Sequence, residues 1–170
     1  MKLASLSTIA ARRVVIALLV AFVLSAVFPQ IGMAQGISDV GTWRLNLAKS
    51  KYNPGPAPKS GTLIVEPEGQ GLKATAEGVD AQGKPTKAEF VVIFDGNSHP
   101  VTGVPAYDAS SYKRINDFTM EYTRTKNGNV VQTGTRVFSI DGKAATFTTK
   151  GVNANGQPIN NVAVYERRSR

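Results

Sequence analysis

The chain has 170 residues, with 20 Lys and Arg, 12 Asp and Glu, one His and no Cys, and its net charge is +8. Without cysteine it can form no disulfide, no thiolate metal site and no thiol nucleophile. A single histidine excludes a metal site built from several imidazoles. The basic residues beyond position 34 are mostly isolated and form no stripe with aromatic partners, so we expect no nucleic-acid binding. Weak association with anionic envelope components fits the positive charge.

The first 34 residues have the pattern of a signal peptide. Arg12 and Arg13 precede the uncharged apolar run Val14–Phe28, and small residues lie just before and at Ala34. We predict cleavage after Ala34, a single domain over residues 35–170, and a periplasmic or secreted location. A retained anchor is the alternative, because the run approaches the length of a membrane span. The arginine pair leaves open whether export follows the general secretory or the twin-arginine route.

The segment Asp39–Leu45 follows the leader and contains the only tryptophan, Trp43. In a chain of strands, a large aromatic side chain this early is expected to fill one end of the core. Next comes a proline-rich segment, 53–58, whose three prolines cannot donate ladder hydrogen bonds. We predict a surface connection or flap there.

From Gly41 onward, runs rich in β-branched and aromatic residues alternate with turn dipeptides, which is typical of an all-β fold. Asn127-Gly128 and Asp141-Gly142 are strong hairpin signals. Nine runs are predicted as strands: 42–47, 62–66, 72–77, 87–94, 109–115, 118–123, 130–140, 144–150 and 161–167. An antiparallel meander of eight to ten strands must close or leave two edges unpaired, so we predict one up-and-down barrel. A two-sheet sandwich is the alternative.

The two ends of this domain resemble the calycin superfamily of lipocalins, fatty-acid-binding proteins and avidins. The resemblance rests on Gly41-Thr42-Trp43 in the first strand and on the basic residues in Val164-Tyr165-Glu166-Arg167-Arg168 in the last. It implies that Trp43 closes one end of the barrel and that Arg167 or Arg168 packs across its ring. A cation over an aromatic face contributes about 0.5–2 kcal/mol, enough to help fix the register of the chain ends.

We find no residue set that predicts catalysis. His99 is the only candidate for a histidine base, and its turn-rich surroundings indicate a solvated loop residue rather than a metal ligand. Ser110 and Lys113 have the Ser-x-x-Lys spacing, which needs a helix to bring the two side chains together. On a strand they point to opposite faces. An enzyme acting inside the barrel would have no residues that we can assign.

Aromatic and amphipathic side chains on the predicted strands are suited to lining a pocket. We predict that six of them bind a ligand: Phe90, Tyr112, Tyr122, Arg136, Phe138 and Phe147. Tyr107 and Tyr165 have the same character. Any of these could instead fill a dry core, because an eight-stranded barrel is only just wide enough for its own side chains.

Arg136 is the informative member of this set. It shares a strand face with Gln132 and Phe138, while Val131 and Val137 lie on the other face. If it points inward it is a candidate for binding a carboxylate, and if outward it is ordinary surface. A period of two does not say which face is inside.

These observations predict an exported, monomeric, non-enzymatic β-barrel that binds a small hydrophobic or amphipathic molecule in its interior, without a cofactor or a metal. The alternative is a structural or protein-interaction module of the bacterial cell envelope with a filled core. The size of the interior cavity distinguishes the two.

Overall fold

The computed structural model describes residues 39–168, and the predicted signal peptide and its cleavage site lie outside them. This part of the chain forms ten strands. They are β1 Gly41–Lys51, β2 Ser60–Glu68, β3 Gly71–Val79, β4 Pro85–Val92, β5 His99–Thr102, β6 Ala109–Asn116, β7 Thr119–Lys126, β8 Asn129–Phe138, β9 Ala144–Val152 and β10 Pro158–Arg167. Among the described residues, no helix has the length and apolarity needed to cross a membrane.

The strands form one closed barrel in which each pairs antiparallel with its neighbours in sequence, and β1 pairs with β10. The prediction of an all-β meander barrel is therefore confirmed. Turn chemistry explains the tight reversals. Asn127 and Gly128 between β7 and β8 both have positive φ, of 50° and 78°, as a two-residue hairpin of this kind requires.

Strand β5 was missed in the sequence, and the interpretation of His99 as a loop residue is wrong, since His99 begins this strand. The strand has only four residues and contains Pro100, which argues against a strand inside a sheet. It is tolerated because β5 makes only two residue pairs with β4 and two with β6. The His99 imidazole meets the Asp95 carboxylate at 3.1 and 3.2 Å.

One end of the barrel, which we call the closed end, is formed where β1 begins and β10 ends. Trp43 is 1% exposed and packs tilted against Phe138, with ring centroids 5.6 Å apart. Its indole N–H donates to the backbone oxygen of Asp39 at 2.9 Å. Buried side chains from around the wall complete this core: Leu63, Val65, Ala74, Val92, Met120 and Ala145.

The register of β1 on β10 places Trp43 opposite Arg167, and the guanidinium carbon of Arg167 lies 4.1 Å from the indole centroid. Arg167 also donates to the backbone oxygens of Val40 and Gly142, at 2.6 and 2.8 Å. Arg168 contributes through its backbone, whose N–H donates to the oxygen of Thr42 at 2.8 Å. Both termini of the barrel are thus joined around one ring.

Gly134 should be intolerant of any side chain. A Cβ there would collide with the backbone oxygen of Thr148 and the hydroxyl of Tyr122. That hydroxyl is fixed, because it donates to the Thr148 oxygen at 3.0 Å and contacts Thr149 Oγ1 at 2.6 Å. We expect Gly134→Ala to lower the free energy of unfolding by about 2–3 kcal/mol, measured by urea denaturation.

Gly156→Ala is the matched control for Gly134→Ala. An added Cβ at Gly156 meets nothing within 4 Å, and its φ of 75° leaves only a backbone penalty of about 1 kcal/mol. Equal losses in the two variants would contradict the packing argument.

Candidate functional site

The candidate site is the barrel interior away from the closed end. Barrel diameter grows with strand number, and eight strands already give an interior just wide enough for side chains, so ten strands leave additional space. Several inward-facing side chains beyond the core remain partly exposed, including Phe90, Phe147 and Tyr165. In a closed wall, exposure of such residues means that solvent reaches the interior. We call this part the open half.

An aromatic layer separates the closed end from the open half, and we define it as Phe90, Tyr112, Tyr122, Phe147 and Tyr165. Phe90 and Tyr112 stack with centroids 6.5 Å apart, and Tyr112 meets Tyr122 at 6.5 Å. On the opposite wall, Phe147 and Tyr165 are 5.1 Å apart. Aromatic pairs of this geometry are favourable beyond the area they bury, so the layer is a well-defined apolar surface inside the barrel.

Arg136 points inward and is 3% exposed. Its guanidinium carbon lies 4.3 Å from the centroid of Phe147, its cross-strand partner. No residue between 39 and 168 accepts a hydrogen bond from it, and its Nε is fully buried. Burial lowers the pKa of Arg136, and Asp39 acts in the opposite direction. A buried cation without an acceptor is costly, so this group is suited to an anion that the protein does not itself supply.

Asp39 is the buried acidic residue whose negative charge acts on Arg136. It is 3% exposed, and neither carboxylate oxygen has a hydrogen-bond donor among the described residues. Burial raises its pKa, and Arg136, Arg114 and Arg167 partly offset this rise. The carboxyl therefore interacts with these arginines through space without forming a direct ion pair. It neutralises Arg136 only in part.

A second inward-facing arginine, Arg124, lies in the open half on β7. Its guanidinium carbon is 4.5 Å from the ring centroids of both Tyr107 and Tyr122. Nη1 donates to Gln132 Oε1 at 2.9 Å, whereas the buried Nε has no acceptor within the described part of the chain. The Arg124 side chain is thus positioned by two aromatic rings and one amide, and its Nε remains without a hydrogen bond within the described residues.

The predicted ligand-binding residues separate into three positions. Phe90, Tyr112, Tyr122 and Phe147 belong to the aromatic layer. Arg136 lies beside that layer against Phe147, and Phe138 packs on Trp43 in the closed end. Ser110 points inward, where its hydroxyl donates to the Tyr112 oxygen at 3.3 Å, while Lys113 is exposed. No cluster of metal-binding side chains occurs within residues 39–168.

Sequence reasoning missed Arg124, although a signal was present. Met120 and Tyr122 lie on one face of the strand predicted over 118–123, and Arg124 is the next residue on that face. Asp39 was included only as the first residue of the Trp43 segment. Its burial follows from its position under the indole, which no local pattern reveals.

Clefts on the outside of the barrel are separate from this interior. A groove of about 400 Å³ crosses β7 to β9 and is lined by Glu121, Thr123, Thr133, Thr135, Thr148 and Lys150, with Tyr122 and Gly134 beneath. A cleft of about 550 Å³ beside the closed end is lined in part by Thr42, Glu66, Arg167 and Arg168. Of the predicted ligand-binding residues, only Tyr122 reaches either cleft.

No family model and no curated protein matches this chain. Among solved structures, it is similar to a redesigned β-barrel, mFAP1, bound to DFHBI, with 15% identity and a TM-score of 0.40 over 75% of this chain and 94% of that one. The related redesigned barrel mFAP0, also bound to DFHBI, gives 15% identity and a TM-score of 0.36 over 75% and 97%. At these scores the structural matches carry no argument about the fold. The strand pairing alone defines the class of protein, a closed, ten-stranded antiparallel β-barrel.

Proposed function

We propose that this protein is an exported, non-enzymatic β-barrel that binds a small amphipathic molecule in its interior and uses Arg136 to hold the anionic group. The observation that carries the proposal is the buried guanidinium of Arg136, which has no hydrogen-bond acceptor in residues 39–168. Burying an unpaired cation disfavours the folded state, so its presence makes sense if a ligand supplies the acceptor.

The shape of the interior supports the same function. The aromatic layer offers apolar area next to Arg136, and two of its members, Phe147 and Tyr165, are partly exposed. Small-molecule sites typically combine a mostly apolar lining with a few placed polar groups. The stacking of Arg167 on Trp43 supports grouping the chain with the calycins, as the resemblance implies. Export rests on the leader pattern, and the N-terminal residue of the mature protein tests it.

Binding can be tested with 1-anilinonaphthalene-8-sulfonate, an aromatic anion whose fluorescence rises in an apolar site. We expect saturable one-to-one binding to the full-length chain, about 10-fold or more weaker in Arg136→Gln because a charge-assisted contact is lost. Arg44→Gln, an exposed arginine on β1, is the matched control and should bind like the parent. Absence of saturable binding of this dye, of laurate and of 4-hydroxybenzoate would overturn the proposal.

A further inference from the structure

Asp39 is held in the closed end by its backbone, and its carboxylate has no hydrogen-bond donor among the described residues. The Trp43 indole N–H donates to the Asp39 backbone oxygen at 2.9 Å, and the Trp43 ring packs on Phe138. Asp39 is 3% exposed, and both of its carboxylate oxygens are buried. The position of Asp39 is therefore fixed by the fold, whereas no bonded partner neutralises its charge.

Three arginines place positive charge around this carboxylate. Strand register puts Arg136 beside Met120 on β7 and Met120 beside Arg114 on β6, so both arginines belong to one row across the wall. Arg167 reaches the same end from β10. Of the three, Arg136 acts most strongly on the Asp39 carboxyl, and it is itself 3% exposed. Asp39 and Arg136 are thus two buried opposite charges that no hydrogen bond joins.

A ligand anion that reaches Arg136 is repelled by the Asp39 carboxylate. Nε of Arg136 is sealed from solvent, so the anion has to contact the terminal Nη groups. Repulsion between like charges is only weakly screened in a buried site, and it favours the neutral form of one of them. Burial already raises the pKa of Asp39, so Asp39 takes up the proton when the ligand is the stronger acid. Ligand binding and protonation of Asp39 therefore favour each other.

We propose that Asp39 sets the anion affinity of the interior site: its carboxylate repels a ligand anion from Arg136, and its neutral carboxylic acid admits the anion. This inference rests on the proposed function and adds regulation of the same site by pH. The charges that face Asp39 come from arginines on β6, β8 and β10, and arginine stays protonated in proteins. Asp39 is thus the member of this cluster whose charge changes with pH, and binding should strengthen as pH falls.

Titration of the full-length chain with 1-anilinonaphthalene-8-sulfonate at pH 5 and at pH 8 tests this inference, because the sulfonate of the dye stays ionised at both. We expect the parent to bind about 5-fold or more tightly at pH 5 than at pH 8. Asp39→Asn keeps the size of the side chain without its charge. This variant should bind at pH 8 about as tightly as the parent binds at pH 5, with the same affinity at both pH values.

His99→Gln is the matched control for other titrating groups. Histidine is the residue type whose charge ordinarily changes in this pH range, and His99 is the only one in the chain. Its imidazole is paired with Asp95 and donates no hydrogen bond to Asp39. The variant should therefore retain the pH dependence of the parent.

Proton uptake provides a second measurement that does not depend on the folding of Asp39→Asn. Calorimetric titration of the parent with the dye in two buffers of different ionisation enthalpy measures the protons bound with each dye molecule. We expect the parent to take up a fraction of a proton per dye near neutral pH and Asp39→Asn to take up none.

The outcomes separate the two proposals. Dye binding that Arg136→Gln weakens, with equal affinity at both pH values and no proton uptake, would overturn the role of Asp39 and leave the proposed function standing. A pH dependence that persists in Asp39→Asn, or that disappears in His99→Gln, would also overturn the inference. No binding of the dye at either pH would overturn it as well, and the proposed function would fall with it if laurate and 4-hydroxybenzoate also failed to bind.

Discussion

Trp43→Ala should lower the free energy of unfolding by about 3–5 kcal/mol, because it removes a fully buried indole and leaves a cavity in the closed end. It also removes the donor to the Asp39 oxygen and the ring beneath Arg167. Urea denaturation followed by circular dichroism measures the loss. Arg44→Ala, at the adjacent exposed position, is the control and should change stability by no more than about 0.5 kcal/mol. Similar values for the two variants would show that Trp43 does not anchor the barrel.

The contact between Trp43 and Arg167 can be isolated from the other interactions of both residues. Arg167 donates to two backbone oxygens, so its substitution alone measures more than the ring contact. A double-mutant cycle with Trp43→Leu and Arg167→Met cancels the contributions of the other contacts of each residue. We expect an interaction free energy between the two side chains of about 0.5–2 kcal/mol. A coupling indistinguishable from zero would mean that the two residues are adjacent without stabilising the closure.

The barrel could be predicted because its determinants are local. Alternating residues on β7 and the Asn127-Gly128 and Asp141-Gly142 turns fix successive antiparallel pairs, and a meander of this length closes when its ends meet. Strand β5 could not be predicted in this way. Its four residues owe their extended form to pairing with β4 and β6, whereas the local sequence, which contains Pro100, argues against a strand.

The interior could be predicted only in part, since periodicity defines two faces without saying which is inside. On β8 the inner face contains Gln132, Gly134, Arg136 and Phe138, and it includes a cation that hydrophobicity alone would place outside. The pairing with neighbouring strands determines which face of β8 lies inside the barrel. On this inner face, Gly134 leaves free the space that the Tyr122 hydroxyl occupies.

Substitution of Arg136 alone should make the stability of the protein more dependent on pH. Arg136→Met removes a buried cation, but it also removes the largest charge opposing the rise in the Asp39 pKa. A carboxyl whose pKa is raised in the folded state stabilises the protein when the pH is below its pKa in the unfolded state. This contribution is lost as the pH rises through its pKa in the folded state. We therefore expect Arg136→Met to lose stability between pH 4 and pH 8 more steeply than the parent, as measured by urea denaturation.

The double variant Asp39→Leu/Arg136→Met removes both buried charges and replaces them with apolar groups of similar size. We expect its free energy of unfolding at pH 7 to exceed that of the parent by about 1–4 kcal/mol. Lys87→Met/Glu77→Leu, an exposed pair 3.5 Å apart, is the matched control and should change stability by less than about 1 kcal/mol. A double variant less stable than the parent would mean that the two charges support the fold. A more stable one that no longer binds the dye anion would show that the barrel retains them for its ligand at the expense of its own stability.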